Sequence, residues 1–264
     1  MERMRTLRAS ALAVTLALAA TLLLAAVPAR AAELHVAVAA NFLGTLQKLA
    51  VSYQKASGNT LTISAGSSGQ LLTQIQQGAP FDLFFSADTE RPRQLESAGL
   101  AVAGSEFTYA IGTVVLWSPR AGVIDDGARL LQRGQFQRLA IADPRNAPYG
   151  AAAQQVLTAL GVWERVNQQH KLVVGENITQ AWQFVSTGNA TLGFVALSQV
   201  IGADGRSSGS SWMPPQNLYR PIAQDAVILK RSTELPAAQN FLHWLRSAPE
   251  ALRILQAAGY HPAA

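Results

Sequence analysis

From about residue 32 onward, short apolar runs alternate with amphipathic stretches, and this alternation is the strongest constraint on the fold. An apolar run of strand length followed by a segment of helical period is a β–α unit. A series of such units builds a largely parallel sheet covered by helices. Residues 34–40 read as a first strand. Phe42, Leu46, Leu49 and Tyr53 then recur at helical spacing, and Gly58 suits the position just past a helix end. Residues 61–64 and 81–86 are the next strands, followed by helices that reach Gln77 and Gly99. A second set opens with residues 108–117, a strand long enough to pass between two lobes, and continues with strands at 139–142, 172–174, 192–197 and 226–230. Residues 202–211, rich in Gly and Ser, read as an exposed loop, and helices at 235–246 and 249–258 close the chain. The fold class expected is α/β: two lobes, each a mixed sheet flanked by helices, joined by crossing strands, with the C-terminal helices packed on the first lobe. The expected division assigns residues 32–109 plus 232–264 to lobe 1 and 110–231 to lobe 2.

Residues 1–31 read as a secretory signal peptide. Arg3, Arg5 and Arg8 precede an uncharged Ala/Leu-rich stretch, and Ala29-Arg30-Ala31 has the small-x-small form of a cleavage site. The stretch is just long enough for a membrane anchor, about 19 residues. Its alanine content and the cleavage triplet favour removal after Ala31 and a free periplasmic protein. The chain has no cysteine, which excludes disulfides, thiolate metal sites and a lipid-modified cysteine tether. Without residues 1–31 the chain keeps 17 basic and 15 acidic residues, so it is nearly neutral and no nucleic-acid partner is expected.

Four strand-to-helix turns resemble one another: Ala40-Asn41, Ser67-Ser68, Tyr149-Gly150 and Asn177-Ile178, two in each half of the chain. Ligands of open α/β sheets bind at the carboxyl ends of strands, and helix starts attract anions through unpaired N–H groups and the helix dipole. Each turn also has a plain structural explanation. Asn41 is an ordinary cap residue, the Gly66–Gly69 segment an ordinary turn, Tyr149 a residue of loop packing, and Ile178 offers only its backbone. None of the turns places a Lys or Arg at its ligand position; Arg145 is the nearest and belongs on the loop surface. A cage of amides and hydroxyls without a cation selects by size and acceptor count, and it suits a fully deprotonated tetrahedral dianion. Catalysis has little support: His35, His170, His243 and His261 lie in separate elements without metal-ligand spacing. Asp82, inside an apolar strand, reads as a strand-end or inter-lobe hydrogen-bonding residue.

Six segments, taken in order, resemble the periplasmic molybdate-binding proteins. They are Val36-Ala37-Val38-Ala39-Ala40-Asn41-Phe42, Gly66-Ser67-Ser68-Gly69, the Gly78-Ala79-Pro80-Phe81-Asp82 run that ends at Ser86-Ala87-Asp88, the Asp143-Pro144 to Tyr149-Gly150 loop, Leu192-Gly193-Phe194-Val195-Ala196, and Ala258-Gly259-Tyr260. The resemblance covers residues 33–260 or so. It implies a type II periplasmic-binding-protein fold that closes over one oxyanion, no cofactor, no enzymatic activity, and a monomer working with an ABC transporter permease. It further implies that molybdate or tungstate is bound by Asn41 and Ser68 through side chain and backbone N–H, and by Tyr149 and Ile178 chiefly through backbone N–H. The molybdenum would be held only as its oxyanion, with no protein atom on the metal. Many relatives have Ser in place of Asn41 and a ligand-binding Tyr in place of Ala196. This chain is similar to a variant with Asn in the first turn and Tyr in the middle loop, whose phenol is a candidate for the missing hydroxyl. Other readings of the same fold are a sulfate or phosphate binder, a sensor domain, or an exported enzyme using the cleft.

Overall fold

The structure, a computed structural model, describes residues 31–202 and 204–261. The expected signal peptide, apart from Ala31, lies outside them. β1 (Glu33–Ala39) runs through a 3-10 turn (Ala40–Phe42) into α1 (Leu43–Ser57), whose buried face is Thr45, Leu46, Leu49 and Tyr53. Gly58 ends that helix at φ 79°, a left-handed conformation that strains any residue with a Cβ. β2 (Thr60–Gly66), α2 (Ser68–Gln76), β3 (Leu83–Phe85) and α3 (Glu90–Ser97) follow. The long apolar segment at 108–117 is two strands, β4 (Phe107–Gly112) and β5 (Val114–Ser118). α4 (Gly127–Arg133), β6 (Leu139–Ala142), α5 (Pro148–Ala159), α6 (Trp163–Gln168), β7 (Leu172–Gly175), α7 (Ile178–Ser186), β8 (Leu192–Ala196) and α8 (Leu197–Val200) come next. β9 (Ser210–Trp212) and β10 (Ile222–Ile228) then lead to α9 (Leu235–Ser247) and α10 (Pro249–Ala257).

These elements form two mixed sheets of the same design. The first has the order β2-β1-β3-β10-β4 and the second β7-β6-β8-β5-β9. In each, a central strand (β1 or β6) is parallel to both neighbours, and antiparallel strands complete the sheet. Every residue of β3, β5, β6 and β8 is buried, so these strands read as continuous apolar runs instead of alternating ones.

The expected lobe boundaries need correction. The chain crosses at Thr113, between β4 and β5, and returns before Ile222, because β4 and β10 pair with each other in the first sheet. Residues 110–112 and 222–231 therefore belong with lobe 1. The Gly/Ser-rich segment expected as loop contributes β9, an edge strand whose Trp212 lies against Gly127. α9 and α10 do pack on the first sheet, through Ala238, Phe241, Leu245 and Leu255. Phe42 lies at the centre of that core, with the rings of Tyr109 and Tyr260 4.6 and 5.3 Å away. Each fully buried side chain of this size contributes about 1.5–3 kcal/mol. The turn after β1 is therefore anchored in a packed core. Asp82 proves to be a strand-end residue inside lobe 1: its carboxylate accepts from the His35 amide at 2.7 Å and the Ser232 hydroxyl at 2.6 Å.

Candidate functional site

Four parallel strands, β1, β2, β6 and β7, end at the face where the lobes meet, and each feeds a helix or helical turn. Asn41 sits in the 3-10 turn after β1, Ser68 is the first residue of α2, Tyr149 the second of α5 and Ile178 the first of α7. The structure brings all four onto one cavity, together with Ala87 and Pro148. The cavity is narrow, about 10 Å³, against about 580 Å³ for the nearby groove lined by Arg91, Arg145 and Arg220. Only a compact guest suits the smaller space. Among the described residues no charged side chain lines it. Arg145 points to solvent (86% exposed) and pairs with Asp143, whose carboxyl it holds below the usual carboxylate range.

Local capping decides which N–H groups face the cavity. The first amides of a helix have no partner inside it. In α2, Ser67 accepts from Gln70 through its hydroxyl and from Leu71 through its carbonyl, while the Gly69 amide donates to Asn146 of the other lobe at 3.0 Å. Among the described residues, that leaves the Ser68 amide without an acceptor. In α7, Asn177 accepts from Thr179 and Gln180 at 3.0 and 3.1 Å with its side chain and from Ala181 with its carbonyl, which leaves Ile178. In α5, Pro148 has no N–H and Ala151 donates to Ala147, which leaves Tyr149 and Gly150. The Asn41 amide likewise has no acceptor among the described residues. The Ser68 hydroxyl accepts from the Ala87 amide at 3.0 Å, so its own hydrogen remains to donate.

One expectation about side chains changes. Asn41 was expected to reach the ligand with its side chain, but its Nδ2 donates to Gln224 at 2.7 Å and to the Tyr260 phenol at 3.0 Å. Both amide hydrogens are thus engaged, and only the backbone N–H is left for an anion. The Tyr149 phenol accepts from Gln224 Nε2 at 3.4 Å and lies against Gly112, where any Cβ would collide with it. Burial pushes that phenol well above its ordinary value, so it stays neutral. Gly69 is the other close approach: a Cβ there would lie 2.7 Å from Asn146 Oδ1, inside the inter-lobe contact.

A family model for bacterial extracellular solute-binding proteins matches residues 34–261. The chain belongs to that family. The molybdate-binding protein ModA of Rhodobacter capsulatus is 48% identical to this solute-binding protein over 97% of each chain. That of Azotobacter vinelandii is 48% identical over 90% of this chain and 93% of its own. The solved periplasmic molybdate-binding protein of Azotobacter vinelandii superimposes with a TM-score of 0.86 at 44% identity, covering 88% of this chain and all of the other. These relatives are binding proteins, not enzymes. Among the described residues no cluster of three or more His, Cys, Asp or Glu is placed to hold a metal ion, and no helix is long and apolar enough to cross a membrane.

The sequence reading missed Gln224 and Ser198, which join the two halves of the site from behind. Ser198 donates to the Asn41 carbonyl at 2.9 Å. For Gln224 a signal existed: a polar pair, Gln224-Asp225, inside an otherwise apolar strand. The strand was expected to begin at Ala226, which excluded the pair.

Proposed function

We propose that this chain is an exported solute-binding protein that captures molybdate, and equally tungstate, in the inter-lobe cavity and delivers it as a monomer to the permease of an ABC importer. The observation that carries this reading is the convergence of backbone N–H groups from four strand-to-helix turns, with the Ser68 hydroxyl, on a small cavity without a charged side chain. N–H groups only donate, so the cage favours an oxyanion that presents acceptors all round and carries no proton. Three α-helix starts add their dipoles in place of a fixed cation. Donors from both lobes are needed, so the ligand itself holds the lobes together, beside the Gly69–Asn146 contact that joins them directly. The names of the 48% identical relatives support molybdate as the anion. Residues 1–31 serve as the export signal, removed after Ala31.

The test is a thermal melt of the purified protein with molybdate, tungstate, sulfate and phosphate at equal concentration. A ligand that binds only the folded state stabilises it by RT ln(1 + [L]/Kd), about 4 kcal/mol at a thousandfold excess over Kd. For a chain of this size that is roughly 2–4 °C for each kcal/mol. Molybdate and tungstate, nearly equal in size, should raise Tm substantially and alike. Sulfate is a smaller dianion that cannot reach donors of both lobes at once and should barely move it. Equal shifts from sulfate and molybdate would defeat the size argument, and no shift from any of the four would defeat the oxyanion reading.

A further inference from the structure

Behind the cavity, polar side chains from both lobes form a connected group: Asn41, Tyr109, Gln224 and Tyr260 from the first, Tyr149 and Ser198 from the second. Gln224 is at its centre. It is fully buried (0% exposed), yet it does not line the cavity. Its Oε1 accepts from Asn41 Nδ2 at 2.7 Å and from the Tyr109 phenol at 3.1 Å, and its Nε2 donates to the Tyr149 phenol at 3.4 Å. The pairing of β10 with β4 shifts register between Gln224 and Asp225. Such a bulge re-aims side chains: Asp225 bonds to Thr108 at 2.6 Å, while Gln224 faces the lobe junction, close to Gly112 at the crossing. Burying an amide this deeply is costly unless its polar atoms are bonded, and here its partners are the residues that carry two of the four ligand turns.

We propose that Gln224 is a positioning residue for the bound anion: its neutral amide ties the first-lobe turn at Asn41 to the second-lobe helix start at Tyr149 in the closed molecule, and so governs how fast the ligand leaves. The proposal rests on the anion-capture reading above. The Asn41 and Tyr109 bonds lie within lobe 1 and exist whether or not the lobes are closed. The Tyr149 bond spans the lobes and forms only on closure. Removing it leaves the encounter with the anion unchanged and eases opening, so the loss falls on the dissociation rate. An amide is also the side chain suited to the place, because it accepts at one end and donates at the other without charge. A carboxylate would keep the Asn41 and Tyr109 bonds and set a negative charge beside a bound dianion. The titratable groups facing position 224 are the phenols of Tyr109, Tyr149 and Tyr260, all raised by burial, with the carboxylates of Asp225 and Asp88 acting on Tyr109.

The experiment is titration and stopped-flow binding of molybdate to the purified protein as wild type, Gln224→Met, Gln224→Glu, Tyr149→Phe and the Gln224→Met/Tyr149→Phe double variant. Circular dichroism and the ligand-free melt report folding. Gln224→Met and Tyr149→Phe should each weaken binding by about tenfold, through faster dissociation at an unchanged association rate. The double variant should be no weaker than Gln224→Met alone, because the inter-lobe bond that Tyr149→Phe removes is already lost in Gln224→Met. Gln224→Glu should bind worst near neutral pH and recover as the pH falls from about 8 to about 5, where a buried carboxyl takes up its proton, while the wild type stays level. If Gln224→Met fails to fold, Tyr149→Phe and the pH response of Gln224→Glu carry the test. A wild-type dissociation rate in Gln224→Met, an additive double variant, or a Gln224→Glu profile parallel to wild type would overturn the proposal. Failure of the wild type to bind molybdate would instead overturn the function from which it starts.

Discussion

The two halves of the proposed site reach the same end by different chemistry. In the first lobe a side chain takes part: Ser68 offers a hydroxyl as well as an amide, and Ser67 and Gln70 form a reciprocal capping pair around it. In the second lobe the donors that capping leaves over are backbone amides. Asn177 and Pro148 satisfy or remove neighbouring donors until Ile178, Tyr149 and Gly150 are left, and the side chains of Ile178 and Tyr149 are buried in packing (3% and 2% exposed). A helix start can thus be prepared for an anion either by adding a donor or by accounting for all the others. The second route leaves almost no trace in side-chain chemistry, and ordinary alanine substitution cannot detect it.

The largest expected effect breaks the second-lobe half directly. Ile178 is the first residue of α7, a position where proline is tolerated because its N–H has no helical partner. The preceding residue, Asn177, is already extended (φ −147°, ψ 174°), as a residue before proline must be. Ile178→Pro therefore deletes the proposed donor and leaves the helix, and it sets a ring carbon where the N–H would meet the anion. Loss of a hydrogen bond to a charged group costs about 1.5–3 kcal/mol, and the expected loss of molybdate affinity is at the upper end, on the order of a hundredfold. Ile178→Ala is the complement. It should keep wild-type affinity while lowering stability by about 2–5 kcal/mol through the cavity it leaves. Calorimetric titration and melts of both variants check the pair, and a larger affinity loss in Ile178→Ala would mean that the side chain, not the amide, holds the ligand.

A smaller effect separates the two first-lobe residues. Ser68→Ala removes a hydroxyl donor to the anion, about tenfold or somewhat more in affinity, and leaves the Ala87 amide without its acceptor. Asn41→Ala keeps the backbone donor and removes only bonds to Gln224 and Tyr260. Neutral hydrogen bonds are worth about 0.5–1.5 kcal/mol each, so its affinity loss should be about two- to tenfold, with a drop in the ligand-free melting temperature. Equal losses of affinity in the two variants would return the Asn41 side chain to the ligand.

What could be read from sequence follows the same division. Periodicity placed β1, α1 with its Gly58 stop, β6 and the C-terminal helices, because burial on one or both faces leaves a direct mark on composition. The four ligand turns were legible by likeness, as cap-forming residues at strand ends. The role of Asn41 was not, because a buried amide can donate to a ligand or to a glutamine 183 residues away in the chain, and only the fold decides which. The lobe boundary failed for a related reason: nothing in the composition of Ile222–Ile228 assigns it to a lobe, and its place in the first sheet depends on pairing with β3 and β4. β9 went unread because three residues at a sheet edge, only partly buried, carry no period.

The smallest expected effect is the response to pH, and it sharpens the contrast between halves. Among the described residues no ionised side chain lines the cavity. The nearest titratable groups behind it are phenols raised by burial above the ordinary value of 10.0, with Tyr260 pushed up to about 12. A group whose value is raised on folding contributes stability that is complete below its unfolded value and is lost as the pH climbs through its folded one. Molybdate affinity should accordingly be level from about pH 6, where carboxylates are fully ionised, up to pH 10, and fall beyond it as the phenols ionise beside a dianion. On the acid side the sign is reversed. Asp143 accepts from the Arg145 and Asn146 side chains and the Arg145 amide, chiefly Arg145, and its value is lowered from 3.8. Its hold on the 143–150 loop is therefore complete above that value and is lost as the pH falls through the lower folded one. Acid should loosen the second-lobe half first, since the Ser67–Gln70 pair that prepares the first-lobe half does not titrate. Amide hydrogen exchange across the pH range would register this as early opening of the Tyr149 helix start while the Ser68 helix start stays protected. Simultaneous opening would mean that the two halves are not prepared independently.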